Sequence, residues 1–82
     1  MSAVREVVET ITRALADSPQ RVSVTETEHR DMTLIEVMVA GPDVGKLIGR
    51  QGRTIAAMRT LATIAGEKLG KKVTVEVRDS SS

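Results

Sequence analysis

An α+β domain of element order αββααβ, with a mixed three-stranded sheet covered by helices on one face, is the fold that this 82-residue sequence predicts. Apolar residues recur at helical spacing in three segments and alternate in three others. A Gly49-Arg50-Gln51-Gly52 turn separates the second helical segment from the third.

Val4, Val7, Val8, Ile11, Ala14 and Leu15 lie at helical spacing, Ser2 is placed to cap the start, and Asp17-Ser18-Pro19 stops the run. These signals predict a helix over residues 3 to 16. Val22 and Val24 then alternate with Ser23 and Thr25, Glu28-His29-Arg30-Asp31 supplies a polar turn, and Met32 to Val39 resumes a strand pattern. The two strands should pair as an antiparallel hairpin. Ala40-Gly41-Pro42-Asp43 breaks the second strand, with Asp43 placed to cap a short helix over Val44 to Ile48. After the glycine turn a longer helix runs from near Arg53 to about Leu69 and ends at Gly70. Residues 72 to 78 alternate again, with Val73, Val75 and Val77 on one face. A parallel return from the second strand to the third is right-handed, which places the helices over one face of the sheet. Residues 1 to 79 are expected to form a single domain, and 80 to 82 a flexible tail.

With no cysteine and no aromatic residue, the core has to be built from Val, Ile, Leu, Met and Ala, which supply the whole 40% hydrophobic fraction. A core of this size gives modest stability or relies on a partner. The chain has no signal-peptide core, no lipidation motif and no apolar run near the roughly 18 residues of a membrane span. A cytoplasmic protein without membrane insertion is the expectation, and the lack of cysteine fits a reducing compartment.

Net charge is only +1, but it is unevenly spread. Residues 1 to 40 carry four arginines against seven acids, a net of −3; residues 41 to 82 carry eight Lys or Arg against four acids, a net of +4. No acid falls between Asp43 and Glu67, while Lys46, Arg50, Arg53 and Arg59 all do. Solvated arginines on a helix would by themselves mean little. Here they surround two glycines whose missing Cβ atoms let backbone N–H groups approach a phosphate chain, and the helix beginning near Arg53 points its positive end at the same place.

Enzymatic readings find little support. Gly41-Pro42-Asp43-Val44-Gly45-Lys46 has three residues between its glycines and Leu47 after the lysine, whereas a phosphate-binding P-loop needs four and a Ser or Thr. His29 lies in a hairpin turn, as a solvated turn residue would. Glu36 and Glu76 can approach each other across the outer sheet face, but two exposed carboxylates without a pocket do no chemistry. No catalytic residue, cofactor or metal site is expected.

The run Asp-Val-Gly-Lys-Leu-Ile-Gly-Arg-Gln-Gly-Arg-Thr-Ile over residues 43 to 55, in this element order and behind a Val-Arg-Glu-Val-Val-Glu helix start, resembles the type II KH domain. Within that family it is similar to the small bacterial proteins that consist of one KH domain. The resemblance covers nearly the whole chain, and residues 43 to 59 are its specific part. It implies a clamp on about four nucleotides of single-stranded RNA. Lys46, Arg50 and Arg53 would supply cations, and Gly49 to Gly52 (Gly49, Arg50, Gln51, Gly52) the backbone under the phosphates. Leu47, Ile48, Ile55 and a strand edge would form the apolar floor for the bases. It also implies little sequence selectivity, self-association, and partnership with a second KH protein of the KhpB, EloR or Jag type. Such pairs are associated with RNA chaperone or post-transcriptional activity and with control of cell elongation and envelope synthesis. A KH fold used mainly as a protein-interaction adaptor, with RNA incidental, is the alternative.

Without aromatic stacking, binding should be weak. Three neutralised phosphates give a logarithmic salt slope of about −2, roughly a fifteenfold loss on a fourfold rise in salt. A four-nucleotide footprint recurs about once in 256 positions of random RNA, so a single site cannot select a transcript. Multivalency would compensate. On the long helix, Ile55, Met58, Ala62, Ala65 and Leu69 make one stripe expected to face the sheet. Ala57, Leu61 and Ile64 make a second stripe about 100° away, available either to the first helix as core or to a partner. Met32, Leu34 and Met38 on the outer sheet face form a rival surface.

Overall fold

The computed structural model describes residues 3–80 and has the predicted order of elements. These are α1 (Ala3–Leu15), β1 (Ser23–His29), β2 (Met32–Val39), α2 (Gly41–Ile48), α3 (Arg53–Lys68) and β3 (Lys72–Asp79). Short 3-10 turns at Pro19–Arg21 and Arg50–Gly52 join α1 to β1 and α2 to α3. The Ser2 cap and the last two residues of the expected tail, Ser81 and Ser82, lie outside the described residues. Ser80, the first residue of that expected tail, donates its N–H to the Val39 carbonyl at 2.8 Å.

The sheet order is β1-β2-β3. β1 and β2 pair antiparallel from Ser23 opposite Met38 to His29 opposite Met32, so the strands run two residues further into the predicted turn and leave Arg30-Asp31 to close it. β2 and β3 pair in parallel from Met32 with Lys72 to Val39 with Asp79. Strand alternation turns Ile35, Val37, Val39 and Val75 inward, where they meet Val4 and Val8 of α1, Leu47 of α2, and Ile55, Met58 and Ala62 of α3. Each such aliphatic side chain contributes about 1.5–3 kcal/mol on burial, which is how a chain without rings holds together. On the outer face Glu36 and Glu76 are register partners, and Arg78 bridges both carboxylates at 3.2 Å.

α1 buries Val4, Val8 and Thr12, and the Thr12 hydroxyl is satisfied by the Val8 carbonyl at 2.7 Å. On its outward side Glu9 pairs with Arg5 at 2.7 Å and with Arg13 at 2.9 Å. Both arginines reach on to carbonyls, Arg5 Nε to Val24 O and Arg13 to Pro19 O and Val22 O, so these cations tie α1 to the start of the sheet.

Two expectations are corrected here. α2 starts at Gly41 rather than Val44, because Pro42 fits a first helical turn whose N–H groups need no intrahelical partner. Asp43 therefore sits inside the helix and is not its cap. Its buried carboxylate accepts the backbone N–H of Asp17 at 3.2 Å and of Ser18 at 3.1 Å, fastening the end of α1 to α2. In α3 the inward stripe is Ile55, Met58, Ala62 and Gly66, with Ala65 partly buried. Leu69, expected on that stripe, is the C-cap residue and is 53% exposed. A Cβ on Gly66 would come within 2.9 Å of the Lys71 carbonyl oxygen, so β3 packs against α3 at a glycine. The chain then folds back through Gly70, with Lys71 N–H bonded to Gly66 O at 2.9 Å, and leaves Leu69 at the turn.

Candidate nucleic-acid interface

Gly49 ends α2 by giving its N–H to Gly45 O at 2.9 Å, with φ 79° and ψ 170°, a backbone region open essentially only to glycine. Thr54 lies over it: a Cβ on Gly49 would overlap the Thr54 hydroxyl and come within 2.8 Å of its backbone nitrogen. Gln51 (φ 55°, ψ 26°) and Gly52 (φ 72°, ψ 16°) are both left-handed, which reverses the chain into α3. Gly52 N–H returns to Gly49 O at 3.1 Å and Arg53 N–H to Arg50 O.

The turn thus uses the amides of Gly49, Gly52 and Arg53 in its own hydrogen bonds. Arg50 and Gln51, between the two glycines, are exposed or nearly so. No side chain caps the start of α3, and the positive end of a 16-residue helix opens onto the same turn. An uncapped helix start beside an exposed turn, with no acid in residues 44 to 66, is the kind of environment that favours an anion.

The cations differ in availability. Arg50 and Arg53 are exposed, and the Arg53 guanidinium donates to Gln51 Oε1 at 3.1 Å. Arg59 is drawn toward the sheet, its Nε donating to Val75 O at 3.2 Å. Lys46 is paired with Asp17, Nζ to Oδ2 at 2.7 Å. Hydrogen bonding to Asp17, then the charges of Asp17 and Asp43, hold its pKa above the usual lysine value. Among the described residues Lys46 is the one cation between Asp43 and Glu67 that sits in an ion pair. Asp17, Asp43 and Thr54 are the residues that sequence reasoning missed around the loop; the Asp17-Ser18-Pro19 stop marked only a helix end.

The residues expected to form the apolar floor differ in exposure. Leu47 is fully buried and Ile55 is 5% exposed, because α2 and α3 use them to dock on the sheet. They support the turn from beneath. Ile48, 36% exposed, is the apolar side chain left at the surface beside the loop. On α3 the second stripe is open: Ala57 is exposed, Leu61 is 47% and Ile64 is 52% exposed, and α1 does not cover them. No helix among the described residues is long and apolar enough to cross a membrane.

The family model described as "KhpA/KhpB, KH domain" matches residues 5–77. A protein from Aquifex aeolicus named "RNA-binding protein KhpA" is 42% identical over 77 residues, covering 94% of this chain and 98% of its own length. A protein of the same name from Caldanaerobacter subterraneus subsp. tengcongensis is 46% identical over 72 residues, covering 88% of this chain and 96% of that one. Among solved structures, Era bound to MgGDPNP and nucleotides 1506–1542 of 16S ribosomal RNA superposes with a TM-score of 0.64 at 20% identity. Era of Aquifex aeolicus bound to GDP and AlF4− gives 0.63 at 22%. Each match covers 93% of this chain and 29% of the Era chain, and at these identities the likeness is one of fold.

Proposed function

This chain belongs to the KhpA/KhpB KH-domain family, and from that membership we propose that it is a small non-enzymatic protein whose Gly49–Gly52 turn holds the backbone of single-stranded RNA. Phosphates would lie over the backbone of Gly49 to Gly52 at the uncapped start of α3, with Arg50 and Arg53 on either side. The observation that supports this best is the turn itself: an exposed, left-handed bend with an arginine at its tip, seated on a buried Leu47 and Ile55. With Ile48 as its apolar neighbour and no ring to stack a base, one domain binds weakly and with little selectivity.

Selectivity then comes from assembly. The exposed stripe of Ala57, Leu61 and Ile64 favours a homodimer, or a heteromer with a KhpB-type KH protein, that brings two turns onto one strand. A cytoplasmic RNA chaperone or post-transcriptional role, and a link to cell elongation and envelope synthesis, rest on family membership rather than on any residue described above.

Replacing Arg50 and Gln51 together by aspartate puts two acids on the turn and leaves the core untouched. The expected result is an affinity loss of about tenfold or more for a fluorescein-labelled oligouridylate in anisotropy, with an unchanged circular dichroism spectrum. Unchanged affinity removes the turn from the binding site. A protein complex that forms with no regard to RNA would favour the adaptor reading instead.

A further inference from the structure

Residues 44 to 66 contain no acid, so any carboxylate near the turn has to be delivered by the fold from elsewhere in the chain. The fold delivers Asp17. Buried Asp43 accepts the amides of Asp17 and Ser18 at 3.2 and 3.1 Å and so holds this corner of the chain against α2. The Asp17 side chain then reaches Lys46 Nζ at 2.7 Å. Lys46 is the cation of α2, in its last turn, one turn before Gly49. Both partners remain half or more in solvent, 50% for Lys46 and 69% for Asp17, so the pair is reversible and phosphate can compete for it. The pair is not needed to hold the corner, because the two backbone bonds to Asp43 do that without the Asp17 side chain.

We propose that Asp17 is an electrostatic latch on the RNA site: its carboxylate occupies Lys46 in the free protein, and RNA engages Lys46 only by displacing it. The proposal rests on the Gly49–Gly52 clamp and concerns its regulation. The latch lowers affinity and shallows the salt dependence. With Lys46 withheld, Arg50 and Arg53 neutralise two phosphates and the logarithmic slope is about −1.4; with Lys46 released it is about −2.1. An acid so placed sets a threshold, favouring strands whose phosphates crowd the start of α3 over dilute anions.

Asp17→Asn keeps the backbone bonds to Asp43 and removes the competing charge. Its affinity for a fluorescein-labelled oligouridylate should rise about three- to fivefold near 0.1 M salt, with the slope steeper by about 0.7. In a Lys46→Gln background the same change should add nothing. Equal affinity and slope in Asp17→Asn and the parent overturn the latch, as does an equal gain in the Lys46→Gln background, which would mean general charge relief. If Arg50→Asp with Gln51→Asp abolishes binding while Asp17→Asn is silent, the clamp stands and only the latch falls. If that double change has no effect, both fall.

Discussion

Gly49 and Gly52 are both glycine, but for different reasons, and the difference can be measured. Gly52 is left-handed with nothing within 4 Å of a Cβ built on it, so alanine there meets only the backbone cost of about 1 kcal/mol. Gly49 adds to its glycine-only conformation a direct overlap with Thr54. Gly49→Ala should therefore cost about 2–6 kcal/mol, from strain of about 1–3 and overpacking of similar size. Urea unfolding followed by circular dichroism should rank the two variants in that order; equal losses would mean that Thr54 does not constrain the turn. The sequence marked both glycines through their spacing and the helical segments on either side. It could not mark Thr54, because a threonine at the start of a helix has no local signature for packing back onto the preceding turn. Asp43 was misread for a related reason: an acid after Gly-Pro looks like a cap, and its true partners, the amides of Asp17 and Ser18, are distant in sequence.

The elements were legible wherever one periodicity ran uninterrupted. α1, β2 and β3 each display one buried face, and their predicted ends fall close to the observed ones. α3 was harder, since Gly66 reads as a weakness in a helix and is in fact its point of contact with β3, something only the position of Val73 and Lys71 reveals. On α1 the Arg5–Glu9–Arg13 ladder makes a pH prediction. The hydrogen bond from Arg13, helped by the charge of Arg5, holds the Glu9 carboxyl below its ordinary 4.5. A depressed carboxylate pKa contributes stability that is present above the unfolded value and lost as pH falls through the folded one, so the loss belongs below pH 4.5. Glu9→Gln should lower the melting temperature slightly at pH 7 and flatten its decline between about pH 4.5 and pH 3. A decline as steep as the parent's would show that the ladder is not what the acid breaks.

At the scale of the whole molecule, the exposed pair Leu61 and Ile64 carries the prediction. Leu61 is 47% exposed, so Leu61→Glu should leave the fold intact while abolishing the homodimer proposed on this stripe. Light scattering after size exclusion should give a monomer mass, with circular dichroism unchanged; a persistent dimer would move the interface to the outer sheet face of Met32, Leu34 and Met38. Affinity for a long RNA should fall about 100-fold or more, while a strand that fills one turn should bind as before, which separates avidity from contact. The arrangement of the strands carries a last consequence. Everything that builds the turn is strung between β2 and its parallel neighbour β3, and β3 supplies Val75 to the core and a carbonyl to Arg59. On a translating ribosome the glycine bend leaves the exit tunnel before the strand that will brace it, so the RNA grip proposed for this turn is expected only once β3 has emerged and docked.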